Sequence, residues 1–186
     1  MRKHGPFTLV FAALLLSPVA AAAQEKGQVG VFMGYPSLGL VWQATERIGV
    51  RPEIGFSSGS GETELSESSS SSVSLGASIL FYAAKRENAA LYFAPRYAYS
   101  HSTSEFESTS PFGGDGALKI KSNSSQLSGS VGAQYWLGKR FSLFGEAGIQ
   151  YTWGNTDNDS AFSGLTSGSD SHVFGTRSSV AVIWYF

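Results

Sequence analysis

His101 is followed within four positions by Ser102, Thr103 and Glu105. A base, a hydroxyl and a carboxylate are the parts of a hydrolytic triad. Serine, however, occurs 31 times in the 186 residues, so its nearness to a histidine carries little information. His172 lies at the foot of a polar segment, and the chain contains no cysteine that could act as a nucleophile. We therefore assign no catalytic residue and expect that the protein is not an enzyme.

Acidic residues concentrate in three polar segments, 59–72, 105–121 and 155–171, which together carry nine acids against two lysines. Such a surface could bind divalent cations, but the acids lack the spacing of a metal-binding loop, which favours a solvated, repulsive surface. We predict no metal site and no cofactor. The formal net charge of −1 argues against binding to nucleic acid through a general positive field.

Five charged residues occur inside otherwise apolar or small-residue stretches: Arg51, Glu53, Arg96, Glu146 and Arg177. Three arginines and two glutamates nearly balance, which is what a water-poor interior requires of charges. They could form a plug of ion pairs that fixes the register of the surrounding strands. Alternatively they could form a gate or selectivity filter for small solutes. A narrow interior favours the plug.

The elements that position these residues are β-strands, because apolar residues alternate with small or polar ones. In the segment 141–154, for example, Phe141, Leu143, Ile149 and Tyr151 share one face, whereas the other face is largely small and polar. Eight segments of this kind follow one another, joined alternately by short charged turns and by the long polar segments, which we interpret as loops. Residues 35–37 form one tight turn on the side of the long loops. The pattern predicts an eight-stranded antiparallel up-and-down barrel.

The bulky residues indicate which face of this barrel points outward. A soluble eight-stranded barrel has little room inside for the Tyr, Trp and Phe residues of the apolar rows, and it needs a strongly charged exterior. A transmembrane β-barrel places the apolar rows against lipid and the small and polar residues inside. Phe141 and Trp153 are 12 residues apart, about 40 Å of strand, or about 28 Å of height at a tilt of ~45°, near the ~25 Å apolar band of such barrels. The predicted aromatic girdles comprise Trp42, Phe81, Tyr97, Tyr99, Phe141, Tyr151, Trp153 and Trp184.

The N-terminal residues have the pattern of an export signal. Arg2 and Lys3 precede an apolar run over residues 7–16, and Ala21 and Ala23 provide an A-x-A cleavage site. This order predicts a cleaved secretory signal peptide over residues 1–23 and one barrel domain over residues 24–186. The apolar run is shorter than the ~20 residues that a membrane-spanning helix needs.

The last seven residues, VAVIWYF, place Val180, Val182, Trp184 and Phe186 at every second position. This ending resembles the C-terminal assembly signal of outer-membrane proteins. Together with the FGEAG stretch at 144–148 and the GTR sequence at 175–177, it resembles the small Gram-negative outer-membrane β-barrel family, which includes OmpX-like and Ail-like proteins and the OmpA transmembrane domain. The resemblance covers residues 24–186 and implies the same eight-stranded plan. We expect no peptidoglycan-binding domain of the kind found in full-length OmpA proteins.

The resemblance implies export through the periplasm to the cell outer membrane of a Gram-negative bacterium. The implied partners are outer-membrane lipid, lipopolysaccharide and the assembly machinery, with the barrel a monomer. We expect a structural or surface-interaction role. The alternatives are a narrow channel for small solutes and a lipid A-modifying hydrolase, since such enzymes exist on this fold.

Overall fold

The computed structural model describes residues 26–34, 37–63, 66–108, 116–160 and 166–186. The expected signal peptide lies outside the described residues. The described chain consists of eight strands: β1 (Val29–Gly34), β2 (Ser37–Gln43), β3 (Ile48–Thr63), β4 (Ser66–Lys85), β5 (Ala89–Ser108), β6 (Gly116–Trp136), β7 (Phe141–Ser160) and β8 (Thr166–Tyr185). No helix in this part of the chain is long and apolar enough to span a membrane.

Each strand pairs in antiparallel fashion with the next, and β8 pairs with β1, so that the sheet closes into a barrel. This confirms the prediction of an eight-stranded antiparallel up-and-down barrel. The short turns lie at one end, at 44–47, 86–88 and 137–140. We call this the turn end and the opposite end the long-strand end.

The prediction of three long loops is largely wrong. Described residues of all three segments continue as paired strands: β3 and β4, for example, pair from Ile48 with Phe81 as far as Thr63 with Ser66. The antiparallel ladder gains backbone hydrogen bonds as it lengthens, and serine is compatible with it. Serine hydroxyls also meet across the strands, as Ser57 Oγ and Ser72 Oγ do at 2.8 Å. The serine-rich composition therefore marks the outer part of strands rather than loops.

The first hairpin differs from the rest of the barrel in length. β1 has 6 residues and β2 has 7, whereas the other strands have 16 to 21. The pairing of β1 with β8 ends at Gly34 and Ala181, and the pairing of β2 with β3 ends at Ser37 and Gly55. The barrel is therefore closed by eight strands only over its turn-end portion.

The faces are inside out relative to a soluble barrel, as predicted. Large apolar side chains point outward and are exposed along the strands, among them Leu40, Leu75, Phe93, Leu127 and Ile149. The expectation that only small and polar side chains fill the interior is wrong at the turn end. The buried interior there consists largely of bulky residues: Phe32, Leu80, Tyr82, Tyr92, Trp136, Phe144, Ile183 and Tyr185.

Glycines on the inward faces provide the space for these rings. Gly132 lies opposite Tyr92 in the pairing of β5 with β6. A Cβ atom at Gly132 would lie 2.6 Å from Tyr92 Cε2, closer than van der Waals contact allows. The sequence pattern places these glycines on the inward faces. It does not show that large side chains pack against them.

Candidate functional site

The five charged residues all point into the barrel and lie close together. Arg51 and Glu53 are on β3, Arg96 on β5, Glu146 on β7 and Arg177 on β8. Each is buried or half-buried. We call these five residues the charge cluster. The alternation rule places them inside, because each belongs to the inward row of its strand.

Glu146 is the centre of the charge cluster. Arg51 donates to both of its carboxylate oxygens, from Nη1 to Oε1 at 2.6 Å and from Nη2 to Oε2 at 3.1 Å. Arg177 Nη1 donates to Oε2 at 3.1 Å, and the Tyr92 hydroxyl donates to Oε1 at 2.9 Å. The side chains of Arg51 and Glu146 are only 2% and 1% exposed, so both charges depend on these partners.

The second ion pair joins Arg96 and Glu53. Arg96 donates to Glu53 Oε1 and to the side-chain oxygen of Gln126. The Glu53 side chain is 3% exposed and the Arg96 side chain 11%. The two ion-paired groups together hold three guanidinium groups and two carboxylates, which leaves one net positive charge in the charge cluster.

Aromatic rings and amides close the barrel on the turn-end side of the charge cluster. The Arg51 guanidinium carbon lies 4.9 Å from the ring centre of Phe144 and 5.5 Å from that of Phe32, as in cation–π contacts. Closer to the turn end, Gln43 donates to the Tyr82 hydroxyl at 2.9 Å. This hydroxyl in turn donates to Gln134 Oε1 at 3.2 Å. Gln134 in turn donates to Ser142 Oγ and Tyr185 Oη. We call this hydrogen-bonded group the amide network.

A cavity of about 420 Å³ lies on the other side of the charge cluster. Its lining includes Arg51, Glu53, Arg96, Gln126 and Arg177, with serines and Thr176 of the neighbouring strands. Its lining combines these polar groups with apolar residues such as Phe32 and Phe144, and it carries the excess positive charge of the cluster. Its chemistry therefore suits an anion rather than a metal cation. Among the described residues, no three His, Cys, Asp or Glu side chains are grouped as metal ligands would be.

The hydroxyl, base and acid near His101 do not come together. His101 is on the outward face of β5, where its Nδ1 lies 2.8 Å from Asn123 Oδ1. Ser102 follows on the opposite face of the strand. Glu105 is ion-paired with Lys119 near the long-strand end, and this lysine lowers the pKa of the Glu105 carboxyl. His172 stacks on Tyr151, with 3.0 Å between Nδ1 and the hydroxyl oxygen.

The residues assigned to the aromatic girdles lie on the outer surface in two groups. Six of the eight are exposed, whereas Phe141 and Trp153 are half-buried against neighbouring rings. Toward the turn end, Phe141 packs edge-on against Trp184, with ring centres 6.3 Å apart. Farther along the strands, Trp153 contacts both Tyr151 and Tyr97. Trp42 and Phe81 belong to the first group. Tyr99 belongs to the second group, and its hydroxyl donates to Asn123 Oδ1.

The residues of the C-terminal motif form an outward row at the turn end. Val180, Trp184 and Phe186 are exposed, and Val182 is half-buried. The backbone N–H of Phe186 donates to the Val29 carbonyl at 3.0 Å. The motif therefore belongs to the seam at which β8 meets β1 and closes the barrel.

Sequence reasoning missed the neutral partners of the charge cluster. Tyr92 and Ser78 hydrogen-bond to it, while Phe32 and Phe144 contact the Arg51 guanidinium. The amide network was also missed. Alternation could have identified these residues, because each belongs to the inward-facing row of its strand.

No family model matches this chain. No curated protein matches it. Among solved structures, a major outer membrane protein from Thermus thermophilus is similar, with a TM-score of 0.57 and 16% identity, over 86% of this chain and 98% of that chain.

Two further similar structures are CarO and CarO2 of Acinetobacter baumannii. CarO has a TM-score of 0.45 and 12% identity, over 89% of this chain and 100% of that chain. CarO2 has a TM-score of 0.43 and 12% identity, over 88% and 100% respectively. The likeness to the Thermus thermophilus protein, at 16% identity, concerns the fold alone. The fold is that of outer-membrane β-barrels.

Proposed function

We propose that this protein is an integral outer-membrane β-barrel with a closed lumen, and that it acts as a structural or surface-interaction protein without catalytic chemistry. The single observation that carries the closed lumen is the packing at the turn end. There the charge cluster rests on the amide network and on buried rings, so that side chains fill the interior.

The outer surface supports a membrane location. Its apolar residues form a continuous band bounded by two groups of aromatic side chains, as in transmembrane β-barrels. Where all eight strands close the barrel, at the turn end, their pairing satisfies backbone groups that lipid cannot hydrogen-bond. In the orientation usual for such barrels, the turn end faces the periplasm and the long strands project outward from the cell.

This location defines the proposed partners. They are outer-membrane lipid, lipopolysaccharide and the machinery that inserts outer-membrane proteins, which would bind the C-terminal motif. The exposed acids and serines of the long strands would form the surface that meets other molecules. The narrower resemblance to OmpX-like and Ail-like proteins belongs to this proposal, as do export through the periplasm and the monomeric state.

Conductance measurements test the closed lumen. The folded protein is inserted into planar lipid bilayers, with a general porin as the positive control for insertion. We expect no stable single-channel steps, because the charge cluster and the amide network leave no continuous water path. Reproducible ohmic steps with a defined ion selectivity would contradict the proposal and favour a narrow channel.

A further inference from the structure

The interior between the charge cluster and the long-strand end is lined by small polar side chains. Those in the inward rows of four strands are Ser72 and Ser74 on β4, Ser100 on β5, Ser122 and Ser124 on β6, and Gln150 and Thr152 on β7. All of them are half-buried, whereas Ser78, Ser128 and Ser130, beside the charge cluster, are buried. The interior therefore becomes more accessible toward the long-strand end. We call this part of it the vestibule.

The 420 Å³ cavity forms the floor of the vestibule. Its lining includes Ser74 and Gln150 of the vestibule together with Arg177 of the charge cluster. On the turn-end side, the amide network and the buried rings close the barrel. A solute that enters from the long-strand end therefore reaches the charge cluster and stops there. This route runs through the polar interior, so a charged solute does not have to enter the hydrocarbon of the membrane.

The excess positive charge of the cluster lies on Arg51 and Arg177. Glu53 is paired with Arg96, whereas Glu146 serves two arginines. Its Oε2 atom accepts from Arg51 Nη2 and from Arg177 Nη1, both at 3.1 Å. One carboxylate neutralises only one of these two guanidinium groups. Because an uncompensated charge in a confined interior is costly, a further anion beside them would be stabilising.

Arg177 is the cation that such an anion can reach. Its side chain is 15% exposed, whereas that of Arg51 is 2% exposed. Among the described residues, its guanidinium hydrogen bonds come from Nη1 alone, which donates to Glu146 Oε2 at 3.1 Å and to Ser130 Oγ at 3.5 Å. The other donors of Arg177 are therefore available to a ligand in the cavity.

The charge and the donor geometry favour a carboxylate. A guanidinium group binds carboxylate or phosphate through two parallel hydrogen bonds, which chloride cannot reproduce. A carboxylate carries one negative charge and balances the cluster. A phosphate group carries ~1.5–2 negative charges at pH 7 and would leave the cluster with a net negative charge. The hydroxyl and amide groups of the vestibule both donate and accept hydrogen bonds, which suits a solute that carries hydroxyl groups of its own.

We propose that the cavity binds a small hydroxylated carboxylate, of the chemical class of the sugar acids, which enters from the long-strand end. Arg177 donates to the carboxylate with the donors that Glu146 and Ser130 leave free, and Ser74 and Gln150 hydrogen-bond its hydroxyl groups. The bound anion gives the charge cluster three negative groups for its three arginines. The inference rests on the proposed function, because it requires a barrel that is closed at the turn end and open to the outside of the cell.

Nuclear magnetic resonance of the arginine side chains tests this site. The isotope-labelled barrel is folded in zwitterionic micelles and titrated at constant ionic strength with gluconate, with its uncharged counterpart sorbitol, with chloride or with inorganic phosphate. We expect gluconate to shift the Nε–H signal of Arg177 in a saturable manner, and sorbitol and chloride to leave it in place. A response to chloride or phosphate that matches the response to gluconate would show an unselective anion site and overturn the proposal.

Removing the cation should abolish most of the binding. Arg177→Gln should weaken gluconate binding by roughly tenfold or more, the loss expected for one charge-assisted hydrogen bond. The side-chain signal of Arg96, which lines the same cavity, reports binding in this variant. Lys119→Gln is the matched control, because it removes an exposed cation near the long-strand end and should bind gluconate as the wild type does.

A second variant tests the charge argument with Arg177 in place. Gln150→Glu adds a carboxylate of nearly the same shape to the cavity lining and balances the cluster from within, so it should abolish gluconate binding. Asn155→Asp adds the same charge at an exposed position of β7 and should leave binding unchanged. Gln150→Glu decides the matter even where Arg177→Gln does not fold, and folding of each variant is verified by circular dichroism.

Unchanged gluconate binding in Gln150→Glu, or in a folded Arg177→Gln variant, overturns the site. A barrel that conducts ions in planar bilayers contradicts the proposed function. A folded, non-conducting barrel without saturable gluconate binding contradicts only the carboxylate site.

Discussion

Glu146 shows how one residue can organise the interior of the barrel. Its carboxylate accepts hydrogen bonds from Arg51, Arg177 and Tyr92, which come from three different strands. The sequence was sufficient to place the five charges inside, because the alternation of side chains along a strand puts each of them on the inward face. It could not specify their pairing, since that depends on the stagger between strands that are distant in sequence.

Replacing Glu146 by Ala tests the plug interpretation. The change leaves Arg51 and Arg177 facing each other without a carboxylate, at a cost of about 3–5 kcal/mol if the pair is fully buried and less if lumen water reaches it. The measurement is the free energy of unfolding in urea from lipid vesicles. Glu105→Ala is the matched control, because its ion pair with Lys119 is exposed and surface pairs contribute little.

A channel gives the opposite pattern. If the charge cluster lines a conducting path, Glu146→Ala leaves stability nearly unchanged and shifts ion selectivity toward anions. That pair of results would contradict the plug.

At the scale of the strands, alternation identified the faces correctly but not the lengths. Residues 66–72 consist of six serines and Glu67, without the apolar residues that mark the membrane-embedded part of β4. They nevertheless extend the strand, because cross-strand hydrogen bonds do not require apolar side chains. Hydrophobic periodicity reports burial in lipid, so it predicts where a strand crosses a membrane rather than where the strand ends.

Arginine substitutions at adjacent positions of β7 test the face assignment. Ile149 is exposed on the outer surface, and Gln150 lines the cavity. Ile149→Arg should cost about 2–4 kcal/mol near the bilayer midplane, whereas Gln150→Arg should avoid that lipid penalty. Unfolding titrations of both variants in the same vesicles measure the difference. Equal costs at the two positions would show that the outward face does not contact lipid.

At the scale of the whole molecule, the fold could be predicted because strand number, turn positions and face polarity agree. The difference in length between the first hairpin and the other strands could be predicted only in part. The sequence shows a nearly loopless hairpin at residues 35–37, but the consequence depends on how far β3 and β8 continue beyond it. The filling of the interior also depends on packing, since Phe32 fits only because Gly39 leaves space and Tyr92 only because Gly132 does.

The central claim is that eight strands form one closed barrel that is stable in a membrane environment. Opening such a barrel exposes a complete set of strand hydrogen bonds at once, so it resists SDS until it is heated. The most direct measurement compares heated and unheated samples on an SDS gel after folding in mild detergent, with strand content verified by circular dichroism. We predict that the unheated protein migrates at a different position from the heated protein. Identical migration of the two samples, with folding verified, would contradict the membrane barrel.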